Sequence, residues 1–370
     1  MGINMSEKKP IRILQIVSSL NAASGVLAVV LNWHRHFDTS KIQFDYLYTL
    51  ETPVTNKIEI EKLGGNCYNL PHPYKQPFKF LMKSYRFFKE HHYNTVHSHI
   101  TNLNLFFYPL AKMFGTKNII QHAHGTKWSD KKFGAIRNYL MLHAVWPFIT
   151  HKLACSQKAG EMFFGKNFQI VKNGIDVEKF AYNTEIRNIK RKELNLENNF
   201  VIGHVGRFSG EKNHKYLIYV FKQVVEEEQN ARLLLIGNGY LENEIRAYVR
   251  AENLQDKVIF LGARKDVAEL YQAMDVFVLP SLHEGMPVSA IEAQCAGLPC
   301  IFADTITKEV LILPESKMLS LKNLPRVWAD EILKYKGYKR NSGVQYLKIK
   351  GFDIKDIGKK IESLYNSLEC

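Results

Sequence analysis

The sequence predicts an α/β protein of two doubly wound domains, each a parallel sheet covered by helices. The 370 residues are enough for two domains of ordinary size. Short apolar segments alternate with amphipathic helical segments from end to end, as in parallel sheets with crossover helices. Asn173-Gly174 is a turn signal near the middle of the chain, and we expect the domain boundary there.

Each half supplies its own set of strands. In the first half the apolar segment at 11–17 predicts a buried strand that opens the sheet. The other strands predicted there span 44–48, 66–70, 95–98, 118–123, 152–154 and 169–171, and the clearest helices span 26–37 and 78–92. In the second half the predicted strands span 200–205, 232–236, 258–261, 276–279 and 299–303, with helices at 215–228 and 242–252.

Two further segments complete the predicted organisation. Residues 183–199 are polar and basic and indicate a linker with a short helix. Residues 354–365 have apolar positions at helical spacing, which favours either a last core helix or a helix that packs back on the first domain. We therefore expect a first domain over 1–173, a second domain over 174–352 and a final helix within 353–370.

Composition excludes several classes of protein. The five cysteines include no C-x-x-C pair, so neither a disulfide framework nor a zinc cage is predicted. No run of 18 apolar residues is present that would span a membrane. The polar start of the chain lacks the pattern of a secretory signal. We expect a protein of the cytoplasm, where thiols stay reduced.

The positive charge is concentrated in one half of the chain. Residues 1–175 hold 22 Lys and Arg against 9 Asp and Glu, whereas residues 176–370 hold 28 against 27. The first half is therefore expected to face an anionic partner, and anionic lipid, nucleic acid or a phosphorylated substrate would each suit that charge. No DNA- or RNA-binding motif accompanies it, so we expect no nucleic-acid partner.

The strongest chemical motif lies between the fourth predicted strand of the second half and the helix after it. Glu284 would sit on the loop at the carboxyl end of the strand, and Pro287 can open the helix because its missing N–H has no helical partner there. Amides around Met286 and Val288 would meet a diphosphate at the positive end of the helix dipole. Glu292 can accept hydrogen bonds from two ribose hydroxyls, although alone it would equally be a solvated glutamate.

A second motif follows the first strand of the second half and runs from Gly206 to Lys212. In doubly wound sheets, ligands bind at the carboxyl ends of the strands. Arg207 and Lys212 would flank the opening of the next helix, where two cations can clamp a diphosphate and offset the charge of a departing nucleotide. Taken alone, they are also consistent with a pair of surface cations beside a turn.

Two strand ends of the first half carry weaker signals. His124 can hydrogen-bond a sugar hydroxyl or a phosphate, although a capping or core histidine is the alternative. We reject a metal site at His122 and His124 because no carboxylate or third ligand is near them in sequence. Gly25, in the loop after the first strand, would let a ligand approach the backbone closely, or it belongs to a plain loop-to-helix turn.

Together these motifs resemble the retaining glycosyltransferases of family 4, which have the GT-B fold of two Rossmann-like domains facing across a cleft. The resemblance extends over most of the chain and is most specific in the second half. It departs from the family at Ser24, where the family has the first glycine of a Gly-Gly pair. Residues 297–310 are similar to bacterial enzymes of exopolysaccharide and capsule synthesis. The matching positions are Gly25, His124, the turn at 171–176, Gly206, Arg207, Lys212, Asn213, Glu284 and Glu292.

The resemblance implies transfer of a sugar, with retention, from a nucleotide diphosphate-sugar to a lipid-linked or saccharide acceptor. A UDP-sugar is the expected donor. Glu292 would bind the ribose, Arg207 and Lys212 the diphosphate, and the first domain would supply the acceptor site and His124. No cofactor or metal is implied, because protein cations replace a metal. The segment that would hold the sugar and phosphates with Glu284 consists of Gly285, Met286, Pro287 and Val288.

Two other functions remain open beside this one. A nucleotide-sugar epimerase or a phosphorylase could use the same two-domain architecture, and it would isomerise or phosphorolyse the sugar instead of transferring it. A nucleotide-binding module that has lost catalysis is supported only by the departure at Ser24.

The segment at 74–89 mixes cations with large apolar residues. That mixture is typical of a helix that lies on anionic lipid, although a stripe packed in the core with solvated lysines is the alternative. We expect the first domain to dock on the inner face of the cell membrane and to take a lipid-linked acceptor there. The predicted stripe consists of Phe78, Leu81, Met82, Tyr85 and Phe88, fringed by Lys75, Lys79, Lys83, Arg86 and Lys89.

Overall fold

The computed structural model describes residues 10–22, 24–129 and 132–369. The chain forms two compact units: the first runs to Gly174 and resumes at Ile354, and the second runs from Ile175 to Asp353. Each unit is a parallel sheet with helices, which confirms the predicted α/β class. No helix within the described ranges is both long and apolar enough to cross a membrane.

The first unit has, among its described residues, a seven-stranded sheet in the order β3-β2-β1-β4-β5-β6-β7. Its strands are β1 (Ile11–Ile16), β2 (Ile42–Tyr48), β3 (Cys67–Asn69), β4 (Thr95–Ser98), β5 (Asn118–Ala123), β6 (His151–Ala154) and β7 (Gln169–Ile170). Its helices are α1 (Gly25–His36), α2 (Lys57–Lys62), α3 (Pro77–Glu90), α4 (Asn104–Met113), α5 (Lys132–Ala144), α6 (Gln157–Phe164) and the last helix of the chain, α14 (Ile354–Glu369).

The central strands of this sheet are apolar because both of their faces are covered. In β1, Ile13, Leu14 and Ile16 are fully buried, and so is the polar side chain of Gln15 between them. Helix α1 starts at a cap: the Ser24 hydroxyl accepts a hydrogen bond from the Leu27 amide at 3.3 Å. The residue that departs from the family pattern is therefore one of the preferred helix caps.

The final helix packs on the first unit. The Glu369 carboxylate accepts hydrogen bonds from the Thr95 hydroxyl at 2.5 Å and from the Asn94 amide at 2.8 Å. The Asn118 side-chain amide donates to the Leu368 carbonyl at 2.8 Å. Helix α14 thus lies against the edge where β4 and β5 begin, and its Tyr365 is fully buried.

The second unit, described throughout, has a six-stranded sheet in the order β10-β9-β8-β11-β12-β13. Its strands are β8 (Phe200–Val205), β9 (Ala231–Ile236), β10 (Val258–Gly262), β11 (Val276–Leu279), β12 (Cys300–Ala303) and β13 (Lys317–Leu319). Its helices are α7 (Thr184–Glu193), α8 (His214–Glu227), α9 (Glu242–Ala251), α10 (Val267–Ala273), α11 (Val288–Cys295), α12 (Pro325–Leu333) and α13 (Val344–Ile349). The strand order reverses direction between β8 and β11.

The segment predicted as a basic linker is instead a packed part of the second unit. Helix α7 lies against α10, where Arg187 donates to the Gln272 carbonyl at 2.9 Å and pairs with Asp275 at 2.5 Å. Arg191 pairs with the same Asp275 at 3.2 Å. The short helix predicted in this segment is present as α7, but the segment is not a linker. A run of basic residues does not show whether a carboxylate and the carbonyls of a helix end face it across the fold.

Candidate functional site

The two strongest sequence motifs meet at the carboxyl ends of β8 and β11, where the strand order reverses. The Leu282 amide donates to the Glu211 carbonyl at 2.8 Å, and the Asn213 side chain donates to the Pro280 carbonyl at 3.2 Å. These bonds hold the loop after β8 against the loop after β11. Such a switch point is where doubly wound sheets bind ligands.

Lys212 and Glu284, one from each loop, form an ion pair. The Lys212 Nζ lies 2.6 Å from the Glu284 Oε1, and the two side chains are 14% and 16% exposed. Partial burial strengthens such a pair relative to one on the open surface. The structure thus brings a candidate cation and a candidate carboxylate together at the switch point.

Arg207 lies on the outer side of the same loop. Its side chain is 64% exposed, and its guanidinium reaches Glu211 Oε1 at 3.2 Å. Glu211 also accepts the Ser209 hydroxyl at 2.6 Å. Exposed pairs of this kind contribute about 0–1 kcal/mol. The guanidinium can therefore exchange Glu211 for a phosphate at little cost.

Glycines allow the loops after β8 and β9 to touch through their backbones. Gly237 has φ of +138°, and a Cβ on it would lie 2.1 Å from the Gly206 carbonyl oxygen. A Cβ on Gly206 would lie 3.1 Å from the Lys212 side chain. Position 237 thus requires glycine, and a Cβ at position 206 would press on the side chains of His204 and Lys212.

Helix α11 begins one residue later than the sequence predicted. Pro287 is its cap, with an extended ψ of 117°, and Val288 is its first helical residue. The Pro287 carbonyl accepts the Ala290 amide at 3.1 Å. Because no acidic side chain occupies the first turn of α11, the positive end of its dipole suits an anion. Gly285, Met286 and Pro287 are buried before this helix, and Val288 is half-buried.

Glu292 lies farther along α11 and faces helix α10. Its Oε2 accepts a hydrogen bond from the buried Tyr271 hydroxyl at 3.0 Å. Burial raises the pKa of Glu292 to about 7, although the Tyr271 hydrogen bond and the charge of Lys179 act in the opposite direction. Sequence reasoning missed Tyr271, whose position on a separate helix gave no motif.

In the first unit, His124 belongs to a buried group that we call the histidine network. It joins the ends of β4 and β5 to β1 and α14, through the following hydrogen bonds. Starting from His124, Nε2 lies 2.8 Å from His99 Nδ1, and His99 Nε2 lies 2.8 Å from Gln15 Oε1. On the other side of Gln15, its Nε2 lies 3.0 Å from the Tyr365 hydroxyl. That hydroxyl lies 2.7 Å from His97 Nδ1, and His97 Nε2 lies 3.2 Å from His122 Nδ1.

Two further histidines, distant in sequence, lie close to His122 in space, so the absence of a third ligand nearby in sequence does not exclude a metal there. Strand β4 lies beside β5, and the ring nitrogens of His97, His99 and His122 come within 4.8 Å of one another. The sequence did contain a signal for this cluster, since a His-x-His pattern occurs at both 97–99 and 122–124. Two such patterns at the ends of neighbouring strands can bring their histidines together.

The four rings nevertheless have the geometry of hydrogen-bonded stacks. His97 and His99 stack with centroids 4.3 Å apart at 27°, and the planes of His97 and His122 differ by 8°. The facing nitrogens are joined in pairs at hydrogen-bond distance, His97 to His122 at 3.2 Å and His99 to His124 at 2.8 Å. We therefore treat the cluster as a hydrogen-bond network.

Gly25 is the first residue of α1 and is exposed. A Cβ there would meet none of the described atoms within 4 Å. The position is open enough for a ligand, but packing within the first unit does not require a glycine.

Helix α3 divides the predicted apolar stripe between solvent and core. Phe78 is 82% exposed and Met82 is 73% exposed, with Leu81 and Tyr85 also exposed. Phe88 is buried instead, at 2%, because the inner face of α3 packs through Phe80 and Phe87 beside it. The prediction was therefore wrong for Phe88, and the core alternative is wrong for the other four residues. The fringing cations Lys75, Lys79, Lys83, Arg86 and Lys89 are all exposed.

A neighbouring helix extends this surface. Arg137 on α5 donates to the Tyr74 hydroxyl at 3.0 Å, just before α3 begins. On the same helix Phe133 is 90% exposed and Ile136 is 60% exposed. We call the exposed residues Phe78, Leu81, Met82, Tyr85, Phe133 and Ile136 the apolar patch.

The chain is similar to known proteins in sequence and in fold. Residues 185–335 match the family model described as glycosyl transferases group 1. The chain is 33% identical to the putative glycosyltransferase EpsF of Bacillus subtilis, over 89% of this chain and 88% of that protein. It is 28% identical to the UDP-Gal:alpha-D-GlcNAc-diphosphoundecaprenol alpha-1,3-galactosyltransferase of Escherichia coli, over 78% of this chain and 79% of that protein. The crystal structure of Anabaena HepE with UDP-glucose aligns with a TM-score of 0.81 at 18% identity, covering 96% of this chain and all of that one.

Proposed function

The chain belongs to the group 1 glycosyl transferases, and on that premise we propose that it transfers a sugar from a UDP-sugar to a lipid-linked saccharide during the synthesis of a cell-surface polysaccharide. The nucleotide choice is supported by the Escherichia coli relative, whose name specifies UDP-Gal. The same name specifies an acceptor on diphosphoundecaprenol, which supports a lipid-linked acceptor here.

One observation carries the proposal. The Lys212–Glu284 pair, the exposed Arg207 and the first turn of α11 all lie at the switch point of the second unit. Two cations and the positive end of a helix suit the diphosphate of the donor. Glu292, farther along α11, supplies carboxylate oxygens for the ribose hydroxyls.

We further propose that the reaction retains the configuration of the sugar and needs no metal. Arg207 and Lys212 would offset the charge that develops on the departing nucleotide, which is the task of a metal in other transferases. His124 would contact the reacting sugar, and the acceptor would attack from the face that the nucleotide leaves. These roles rest on the family resemblance together with the charges at the switch point.

Calorimetry tests the donor site. The full chain, in buffer with a metal chelator, is titrated with UDP, GDP and ADP and then with sugars of the preferred nucleotide. We expect UDP to bind with micromolar affinity and the other two more weakly. Stronger binding of GDP or ADP would overturn the choice of donor, and binding that requires a divalent ion would overturn metal independence.

Mass spectrometry tests the reaction itself. The preferred donor is incubated with and without a panel of polyprenyl-diphosphate saccharides. We expect one acceptor to gain a sugar mass with release of UDP. Isomerised donor in the absence of acceptor, or a sugar phosphate formed from added phosphate, would instead support the epimerase or the phosphorylase.

We also propose that the apolar patch docks the first unit on anionic lipid at the inner face of the cell membrane. Exposed aromatic and aliphatic side chains flanked by exposed cations are typical of surfaces that bind such membranes. Each cation close to the membrane contributes about 1 kcal/mol. Docking there would place the enzyme beside a lipid-linked acceptor.

A further inference from the structure

The histidine network offers a way to fix which nitrogen of His124 carries a proton. Gln15 at its centre is fully buried on β1 and contacts both branches of the network. One branch runs through His99 to His124, and the other runs through Tyr365 and His97 to His122. A primary amide has one accepting oxygen and one donating nitrogen, so Gln15 gives the two branches opposite directions.

All four histidines of the network are neutral at neutral pH. Burial lowers the pKa of His124 to about 3 and the pKa values of His97, His99 and His122 well below their usual range. A neutral imidazole has one nitrogen that donates and one that accepts. Each hydrogen bond in a branch therefore determines the direction of the next.

The branch to His124 starts at the Gln15 oxygen. Gln15 Oε1 can only accept, so His99 Nε2 carries the proton across their 2.8 Å contact. His99 Nδ1 is then the acceptor, and the 2.8 Å contact requires a proton on His124 Nε2. The Nδ1 of His124 is left with a lone pair, and this buried atom has no hydrogen-bond partner among the described residues.

The other branch starts at the Gln15 nitrogen. Gln15 Nε2 donates to the Tyr365 oxygen, and the Tyr365 hydroxyl in turn donates to His97 Nδ1. His97 Nε2 then carries the proton that it donates to His122 Nδ1. The proton of His122 is on Nε2, which is buried and has no hydrogen-bond partner in the described part of the chain.

We propose that Gln15 and His99 are positioning residues that hold His124 in the Nε2-protonated form, so that its Nδ1 accepts a hydrogen bond from a substrate hydroxyl. The buried lone pair of Nδ1 lacks a donor among the residues that the structure describes, and a sugar hydroxyl would supply one. The inference rests on the proposed function, which assigns His124 to the substrate. It adds that His124 Nδ1 offers the substrate a hydrogen-bond acceptor and not a hydrogen-bond donor.

The direct test is nitrogen NMR of the histidine side chains in the full chain. Two-bond proton–nitrogen spectra distinguish the two neutral forms, and the His124 signals are identified by their loss in His124→Gln. We expect His124 to be protonated on Nε2 and unprotonated on Nδ1. A proton on Nδ1 in the unaltered protein would overturn the proposal, whatever the activity of any variant.

A variant of Gln15 and a matched control test its positioning role. Gln15→Met removes the acceptor of His99, so we expect His124 to become a mixture of both forms. We expect kcat to fall about tenfold, the value of one hydrogen bond, while the affinity for UDP, which lacks the sugar and is proposed to bind the second unit, changes little. Tyr93→Phe removes a buried hydroxyl of the first unit that lies outside the network and donates to Asp45 at 2.8 Å, so it should leave the His124 form and kcat near those of the unaltered chain.

The outcomes distinguish the inference from the proposed function beneath it. If Gln15→Met leaves the form of His124 unchanged, Gln15 is not its positioning residue and the inference fails. If the form changes as expected while His124→Ala transfers sugar at the full rate, the tautomer assignment stands, but the contact between His124 and the substrate fails.

Discussion

At the scale of the residue, the burial of Glu292 has a consequence for donor binding. Its pKa is raised to about 7 by burial, so near neutral pH it exists in both forms. Only the ionised carboxylate accepts hydrogen bonds on both oxygens. The affinity for UDP-glucose should therefore rise with pH through about 7, by up to tenfold for each pH unit below that value.

Calorimetry between pH 6 and 8 measures this dependence. UDP-glucose is a suitable ligand because its diphosphate has no ionisation in that range. Glu292→Gln should bind more weakly and lose the pH dependence, since its amide does not titrate. Equal pH slopes in the two proteins would show that another group is responsible.

The Lys212–Glu284 pair gives a second prediction at this scale. Lys212→Ala removes a charge-assisted bond to the diphosphate, which we expect to weaken UDP-glucose binding by about 1.5–3 kcal/mol. Lys222, on α8 of the same unit, pairs with Glu252 at 2.7 Å. Lys222→Ala is therefore a matched control and should keep the affinity of the unaltered chain.

A double-mutant cycle with Glu284→Gln completes the test. Because the two side chains are bonded at 2.6 Å, their effects on binding should not add. Additive losses would mean that Lys212 and Glu284 contact the donor independently, and no loss from Lys212→Ala would remove Lys212 from the site.

The residues proposed for the second-unit site are visible in the sequence, whereas the network around His124 is not. Arg207, Lys212, Glu284 and Glu292 follow strand ends in local motifs, and local motifs are visible in a sequence. The bond between Gln15 and Tyr365 joins positions 350 residues apart. Such contacts depend on which strands become neighbours and on where α14 packs, and no local pattern records either.

At the scale of the element, α3 gives a prediction about membranes. Phe78→Glu together with Met82→Glu places two charges in the apolar patch, where each lost apolar contact with lipid costs about 1.5–3 kcal/mol. We expect binding to vesicles that contain phosphatidylglycerol to fall more than tenfold. Sedimentation with vesicles at low salt measures it.

Ile349 at the end of α13 supplies the control for this variant. It is 81% exposed and belongs to the second unit, so Ile349→Glu should leave vesicle binding unchanged. Equal binding by the α3 variant and the unaltered chain would remove the apolar patch from the membrane. Equal binding to vesicles of phosphatidylcholine alone would remove the role of the cations.

The spacing of apolar residues predicted helix α3 but not which of its faces packs in the core. An apolar stripe marks one face of a helix, yet α3 has apolar residues on two faces, and Phe80 and Phe87 on the second face fill the core. Which face becomes buried depends on the surface that the sheet and its other helices form beneath α3. For the same reason the basic residues of α7 were misjudged, since Asp275 lies more than 80 positions away in sequence.

At the scale of the whole molecule, the buried histidines predict unequal acid stability of the two units. Burial lowers the pKa of these side chains in the folded state, so below the usual value of about 6.5 the unfolded chain binds more protons than the folded chain. Each one then lowers the free energy of unfolding by up to about 1.4 kcal/mol per pH unit. Among the described residues, the histidines whose pKa is lowered by burial are His34, His97, His99, His122, His124 and His151 in the first unit and His204 and His214 in the second.

Glu292 acts in the opposite direction in the second unit. Its folded-state pKa lies above the unfolded value of about 4.5, so the folded chain gains its proton first as the pH falls from 7, which offsets about one histidine. The first unit should therefore lose stability much more steeply between pH 6.5 and 5. That window lies above the range in which most carboxylates become protonated, so the histidines dominate it.

Urea unfolding at several pH values, followed by tryptophan fluorescence, checks this prediction. Three of the four tryptophans belong to the first unit, so Trp328→Phe leaves a signal from that unit alone. We expect its midpoint to fall steeply from pH 6.5 to 5, while amide exchange in β8 and β11 changes less. His124→Gln in the same background should reduce the slope by about one proton. A midpoint that does not move over that interval would show that the histidine network takes up protons without unfolding, and the neutral forms assigned to it would then be wrong.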